Sequence, residues 1–191
     1  FLIRTKRTRR VVNYLGLVLS TSYLLFTVYN KSRVQTVFEN ELKAQNIEVT
    51  RTITSPTIFN NVLWSCTAET NDAYYVGLYS FYDTVPVKFS RIEKQHTLLK
   101  NIDTDYTITK LRWFSDNFFT INNVDGKLLF NDLRFGAYFD KEGNKTDYIF
   151  SFHLEEEDGA YEMIETIIGP PKGQEKEYID TFFARIWGVS S

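Results

Sequence analysis

The sequence predicts an α+β chain in which a long N-terminal (transmembrane) helix precedes a mainly antiparallel β-sheet domain with a few helices. Three observations carry this prediction. Between Arg10 and Lys31 run 20 residues without a charge. Beyond residue 46, short segments alternate apolar and polar residues between turn-forming clusters, the period of half-buried strands. Only two later stretches repeat apolar residues at steps of three and four, as a helix face requires.

The uncharged run comes first. Twenty helical residues at about 1.5 Å rise cover roughly the 30 Å hydrocarbon core of a bilayer. Arg4, Lys6, Arg7, Arg9 and Arg10 precede it, the flank that stays cytoplasmic under the positive-inside rule. Tyr14 and Tyr29 stand near its ends, where amphipathic rings favour the interface. Asn13, Ser20, Thr21 and Ser22 temper its hydrophobicity, which leaves a buried soluble helix as the alternative. A signal peptide fits less well, because the run ends in Phe26-Thr27-Val28-Tyr29 and has no small-residue cleavage site. Gly16, Ser20 and Thr21 offer a small-residue face to neighbouring, preceding membrane helices. The chain opens on Phe1, not Met, so it is expected to begin partway through a longer polypeptide.

Val34, Val37, Phe38 and Leu42 extend the helix as one apolar stripe through Ala44. Residues 1–46 thus form the basic flank, the span and its amphipathic extension, and residues 47–191 the soluble domain. Residues 47–53 alternate strictly and predict a strand broken by Ser55-Pro56. Leu63–Glu69 and residues 74–81 predict two strands around a turn at Thr70-Asn71-Asp72. Residues 118–122 and 127–133 form another pair around Asp125-Gly126. Residues 147–154 make a further strand with Tyr148, Phe150 and Phe152 on one face, ended by the Glu155–Asp158 acidic run. The helices are 105–114, with Ile108, Leu111 and Phe114 inward, and 175–187, with Ile179, Phe182, Phe183 and Ile186 at helical spacing.

Charge narrows the partners. Residues 1–38 hold seven cations and no acid, whereas the rest holds 15 cations against all 24 acids. An acidic body argues against nucleic acid, whose phosphates need a basic face. The basic end suits anionic membrane lipid. A lone Cys66 excludes an intrachain disulfide and a cysteine zinc site.

Catalytic patterns are sparse. His96 and His153 lie in different elements, and neither has a second ligand at metal spacing. His96 reads as an exposed loop residue, His153 as solvent-facing or hydrogen-bonded opposite Phe152. Cys66 reads as a small buried hydrophobe. There is no G-x-S-x-G elbow and no glycine-rich phosphate loop. The acidic run lacks calcium-loop spacing and reads as a solvated turn. Asn30-Lys-Ser32 and Asn144-Lys-Thr146 match the glycosylation pattern, a match too short to inform. Two constellations remain, Leu111-Arg112-Trp113-Phe114-Ser115 and Asn131-Asp132-Leu133-Arg134-Phe135-Gly136. A buried Arg112 needs a carboxylate, for which Asp132 is the candidate, with Arg134 against an aromatic ring. Arg112, Asp132 and Arg134 form either a structural ion pair, the favoured reading, or a two-arginine anion or headgroup site.

These segments also carry a resemblance. Ser55, Pro56, Thr57, Asn60 and Trp64 form a Ser-Pro-Thr-x-x-Asn-x-x-x-Trp block, followed by Tyr74, Gly77 and Tyr79 as Tyr-x-x-Gly-x-Tyr. Leu-Arg-Trp-Phe-Ser from Leu111 and Asp-Leu-Arg-Phe-Gly from Asp132 complete the order. Behind a final membrane helix, the series resembles the carboxy-terminal region of bacterial inner-membrane metal-dependent hydrolases, also described as LexA-binding, membrane-associated hydrolases. The resemblance covers most of residues 1–154. It implies a divalent metal held by histidines and aspartates of a multi-span amino-terminal part, to which no residue here corresponds. No cofactor, metal ligand or catalytic residue is therefore assigned within this chain. The expected function is the extramembrane domain of such a hydrolase. The alternative is a non-enzymatic membrane-tethered module that binds an envelope protein. The cations before the span put the domain on the non-cytoplasmic side, and the resemblance implies that the membrane is a bacterial inner membrane.

Overall fold

The computed structural model describes residues 6–124, 126–140, 143–170 and 173–189. Phe1, Arg4 and Asp125, which figure in the sequence reading, lie outside them. The fold is α+β: a long apolar N-terminal helix, two four-stranded antiparallel sheets and two further helices.

Helix α1 runs unbroken over Lys6–Ala44. Its most apolar 18-residue window has a mean hydropathy of 1.6, and none of it is buried within the protein. By length and composition it is able to cross a membrane. Further along, Val34, Phe38 and Leu42 are almost wholly buried, as their spacing predicts. The helix stops on Asn46, which takes a left-handed φ of 56°. The Asn46 N–H donates to Lys43 O and the Ile47 N–H to Leu42 O, the Schellman pattern. Ile47 packs into the cluster that contains Leu42. Its apolar character serves the cap, so the strand expected from residue 47 begins later, as β1 (Arg51–Pro56). Pro56 lies within β1, tolerated because β1 is a sheet edge.

The first sheet has the order β1-β2-β3-β4, with β2 at Leu63–Glu69, β3 at Ala73–Ser80 and β4 at Phe89–Glu93. One of its faces carries Trp64, Cys66 and Ala68 against α1. The other carries Tyr74, Val76 and Ile92 against Leu133, Ala137 and Phe139 of the second sheet. Gly77 is needed where β3 meets β4, because a Cβ there would come within 2.8 Å of the Phe89 ring.

A 3₁₀ turn (His96–Leu99) and helix α2 (Tyr106–Phe114) join the sheets. Asp105 caps α2 by accepting from the N–H groups of Thr107 and Ile108. Ile108 and Leu111 face inward as expected, while Phe114 remains 42% exposed. The second sheet comprises β5 (Phe119–Val124), β6 (Lys127–Phe139), β7 (Lys145–Glu157) and β8 (Ala160–Ile168), in that order. Tyr148, Phe150 and Phe152 share a face that serves two cores. Phe150 and Phe152 pack with the α2 cluster, Tyr148 with the inter-sheet cluster. The acidic run is strand through Glu157, and only Asp158 and Gly159, both at positive φ, make the turn into β8. Helix α3 (Glu175–Ile186) ends the fold with no buried residue, so its apolar spacing does not make a core stripe.

Candidate functional site

Of the residues singled out by sequence, Asp132 and Arg134 meet at a bulge in β6. Asp132 pairs with Phe150 of β7 and Ala137 with Tyr148, so four residues of β6 oppose one of β7. They are Leu133, Arg134, Phe135 and Gly136, the heart of the Asp-Leu-Arg-Phe-Gly segment. Gly136 takes φ +82°, a conformation that L side chains rarely adopt. Leu133 ties the bulge to both neighbours: its N–H donates to Phe118 O at 2.9 Å, and its carbonyl accepts from Thr67 Oγ1 at 2.9 Å.

Arg134 and Asp132 form the ion pair. The Asp132 side chain is fully buried, and Oδ2 accepts from Nη2 of Arg134 at 2.6 Å. Arg134 Nε and its own backbone N–H complete the contact at 3.1 Å and 2.9 Å to Oδ1. The guanidinium lies 4.7 Å from the Phe114 ring centre and 5.5 Å from that of Phe135. Arg112 takes no part in this pair. It is half-buried and donates from Nε to Asn117 Oδ1 at 3.4 Å, closing the loop after its own helix. The expected Arg112–Asp132 pair is therefore replaced by one inside β6, because the bulge folds Arg134 back onto the carboxylate two residues earlier. With its fork occupied by Asp132, Arg134 fixes the bulge, and the net charge of the pair is zero.

A second polar cluster escaped the sequence reading. Arg185 of α3 grips Asp83 through both terminal nitrogens at 2.6 Å and donates to Leu78 O at 2.9 Å. Asp83 also accepts from the N–H groups of Ser80 and Val189, each at 2.8 Å. Beside it opens a groove of about 310 Å³ lined by Leu78, Val85, Pro86, Phe139, Lys88 and Arg185. Its Asp83–Arg185 clamp joins residues 102 apart, a separation that no local pattern reveals.

The remaining reactive groups are held in check. Burial pushes the Cys66 thiol up to about 12 and keeps it protonated. His96 is not an exposed loop residue: its ring stacks on Phe119 at 4.1 Å, and Nε2 lies 2.9 Å from Phe119 O. Burial lowers its pKa below the usual histidine value. His153 is half-buried, and its Nε2 has no hydrogen-bond partner among the described residues. Burial opposes ionisation of Glu69, but hydrogen bonds from Lys94 and Arg51 prevail and hold its pKa below the ordinary range. Among the described residues, no three His, Cys, Asp or Glu side chains converge as metal ligands. Comparison with protein families, curated proteins and solved structures finds no match.

Proposed function

We propose that this chain is the carboxy-terminal extramembrane domain of a membrane-bound, metal-dependent hydrolase, with the metal-binding residues upstream of it. The observation that carries the reading is α1, one helix whose uncharged part is exposed and whose continuation is buried in the domain core. Such a joint holds a water-soluble domain at a fixed place over a membrane-embedded site. The resemblance supplies the chemistry, and its motifs occupy joints of the fold. The Asn60 loop docks on α1, Gly77 admits the Phe89 ring, and Phe114 of α2 packs under Arg134 of the bulge. The domain then covers the metal site or admits substrate to it, on the non-cytoplasmic side of a bacterial inner membrane.

The test uses the full-length parent in native-like membranes. Stoichiometric divalent metal, and hydrolysis abolished by chelation, are the expected results. Metal-dependent hydrolysis by the 191-residue chain alone would overturn the division of labour. A second reading, a tethered module that binds an envelope protein, draws on β8. This edge strand exposes Met163, Ile164, Ile167 and Ile168. Photo-crosslinking from Ile164 in the parent protein distinguishes the two: a single protein adduct without metal occupancy favours the module.

A further inference from the structure

The loop between β1 and β2, residues 57–62, places its most apolar side chains where neither core packing nor backbone preference explains them. Phe59 is fully exposed, and Ile58 is 65% exposed. Phe59 also adopts φ 57°, a left-handed conformation that is strained for a bulky L-residue. The loop is nevertheless tightly built. Asn60 Oδ1 accepts from the N–H groups of Val62 and Leu63 at 3.0 and 2.7 Å. Its Nδ2 donates to Thr57 Oγ1 at 2.7 Å and to Ile58 O at 3.1 Å. The Ser-Pro-Thr-x-x-Asn block thus encodes a rigid mount for an outward-facing Ile-Phe pair.

The height of that mount on α1 identifies what it faces. Asn61 Nδ2 donates to Thr27 Oγ1 at 2.9 Å, and Thr27 in turn donates to Tyr23 O. Thr27 lies inside the uncharged run, four residues before Lys31. It opens the stripe of covered positions that continues through Asn30, Val34 and Phe38. Residues 11–26, exposed throughout, account for about 24 Å at 1.5 Å rise, short of the roughly 30 Å of hydrocarbon. Residues 27–30 must complete the crossing, and the loop is docked at that level. Thr27 sits about 6 Å below Lys31, within the ~5–10 Å to which interfacial segments insert. No charge occurs between Arg51 and Glu69, so no ionised side chain in the loop resists this environment.

Headgroup-level chemistry surrounds it. Arg33 spans the Tyr29 and Phe81 rings at 5.8 and 5.3 Å, and the Phe81 N–H donates to Val62 O. Next in the chain, Tyr82 stacks on Trp187 at 5.6 Å, both exposed. Aromatic rings among cations are the composition of a membrane–water boundary.

We propose that residues 57–62 form a lipid-inserting wedge, in which Ile58 and Phe59 enter the same leaflet through which α1 leaves the bilayer. The proposal rests on α1 spanning the membrane, and its test separates the two. The full chain is reconstituted into phosphatidylcholine–phosphatidylglycerol vesicles with one environment-sensitive fluorophore on an introduced cysteine. Buried Cys66 does not compete for the label. Labels are placed by Phe59→Cys, by Ile58→Cys as a second variant, by Leu19→Cys in α1 and by Tyr106→Cys, an exposed position at the start of α2. The quencher is a lipid with a nitroxide near the glycerol end of its acyl chain.

The wedge predicts blue-shifted emission at positions 58 and 59, and loss of that emission to the lipid quencher but not to aqueous iodide. Labels at 59 that respond to iodide like those at 106, while position 19 is lipid-shielded, overturn the wedge and leave the span intact. Labels at 59 shielded from both quenchers also overturn it, since a protein then covers the loop. If position 19 itself responds to iodide, the span fails and the wedge with it.

Discussion

The two sheets share strand number, antiparallel pairing and nearest-neighbour order, yet they differ in what covers them. Strand β2, central in the first sheet, is buried over six of its seven residues because α1 lies on one face and the second sheet on the other. Strand β8, at the edge of the second, has no buried residue although it is rich in Met and Ile. Burial here is decided by the neighbour supplied, not by the apolar content of the strand. The sheet beside α1 is the covered half, and the distal edge is the half left open.

The strongest way to break this contrast is to cut into the α1 contact. Phe38→Ala removes a ring that meets Tyr79 and Phe89 at 6.1 and 6.3 Å. It should cost about 3–5 kcal/mol in denaturant unfolding, whereas Ile167→Ala on β8 should stay within about 0.5 kcal/mol. Equal losses would mean that β8 is covered in solution.

Next comes the bulge. Arg134→Ala strands the buried Asp132 carboxylate and should cost about 3 kcal/mol or more. Arg112→Ala, at a half-buried side chain held by one long hydrogen bond, should cost about 1 kcal/mol or less. The reverse order in thermal melts would restore the Arg112–Asp132 pair that the sequence suggested.

A smaller effect concerns pH. His96 has a lowered folded pKa, so the unfolded chain binds the proton first. Its contribution is intact above the ordinary histidine value of about 6.5 and declines as pH falls below it. Glu69, also lowered, contributes above the ordinary glutamate range, and that contribution is lost only as pH falls through its folded value. Melts of His96→Gln should therefore flatten the first decline, and those of Glu69→Gln the second. The smallest effect is kinetic: in the folded chain, Cys66 should react with a disulfide reagent at neutral pH only on unfolding.

Legibility follows the same contrast. The α1 stripe, β2 and the two later helices were readable because each pattern is local and periodic. Strand β8 was missed because, exposed on both faces, it has no in–out alternation to display. The strand expected from Ile47 was misread because a helix cap and a strand both use an isolated apolar residue. At the bulge the residue types were legible, and Arg134 was expected against a ring. The partner of Asp132 was not, since a regular strand would turn Arg134 and Asp132 to the same side without folding one onto the other. The Asp83–Arg185 clamp depends on chain closure over a hundred residues, which sequence spacing does not encode.

The unbroken passage of α1 from its exposed run into the core has a mechanical side. With no proline in the helix and its last four turns locked under the first sheet, the junction has no hinge. Any lean of the helix is passed whole to the domain. Membrane helices lean by about 20° on average, and by more where the bilayer is thin. Over the roughly 21 Å from Asn30 to Ala44, such a lean carries the far end sideways by about 7 Å. Were α1 to span a bilayer as proposed, bilayer thickness would thereby be converted into the lateral position of the distal sheet.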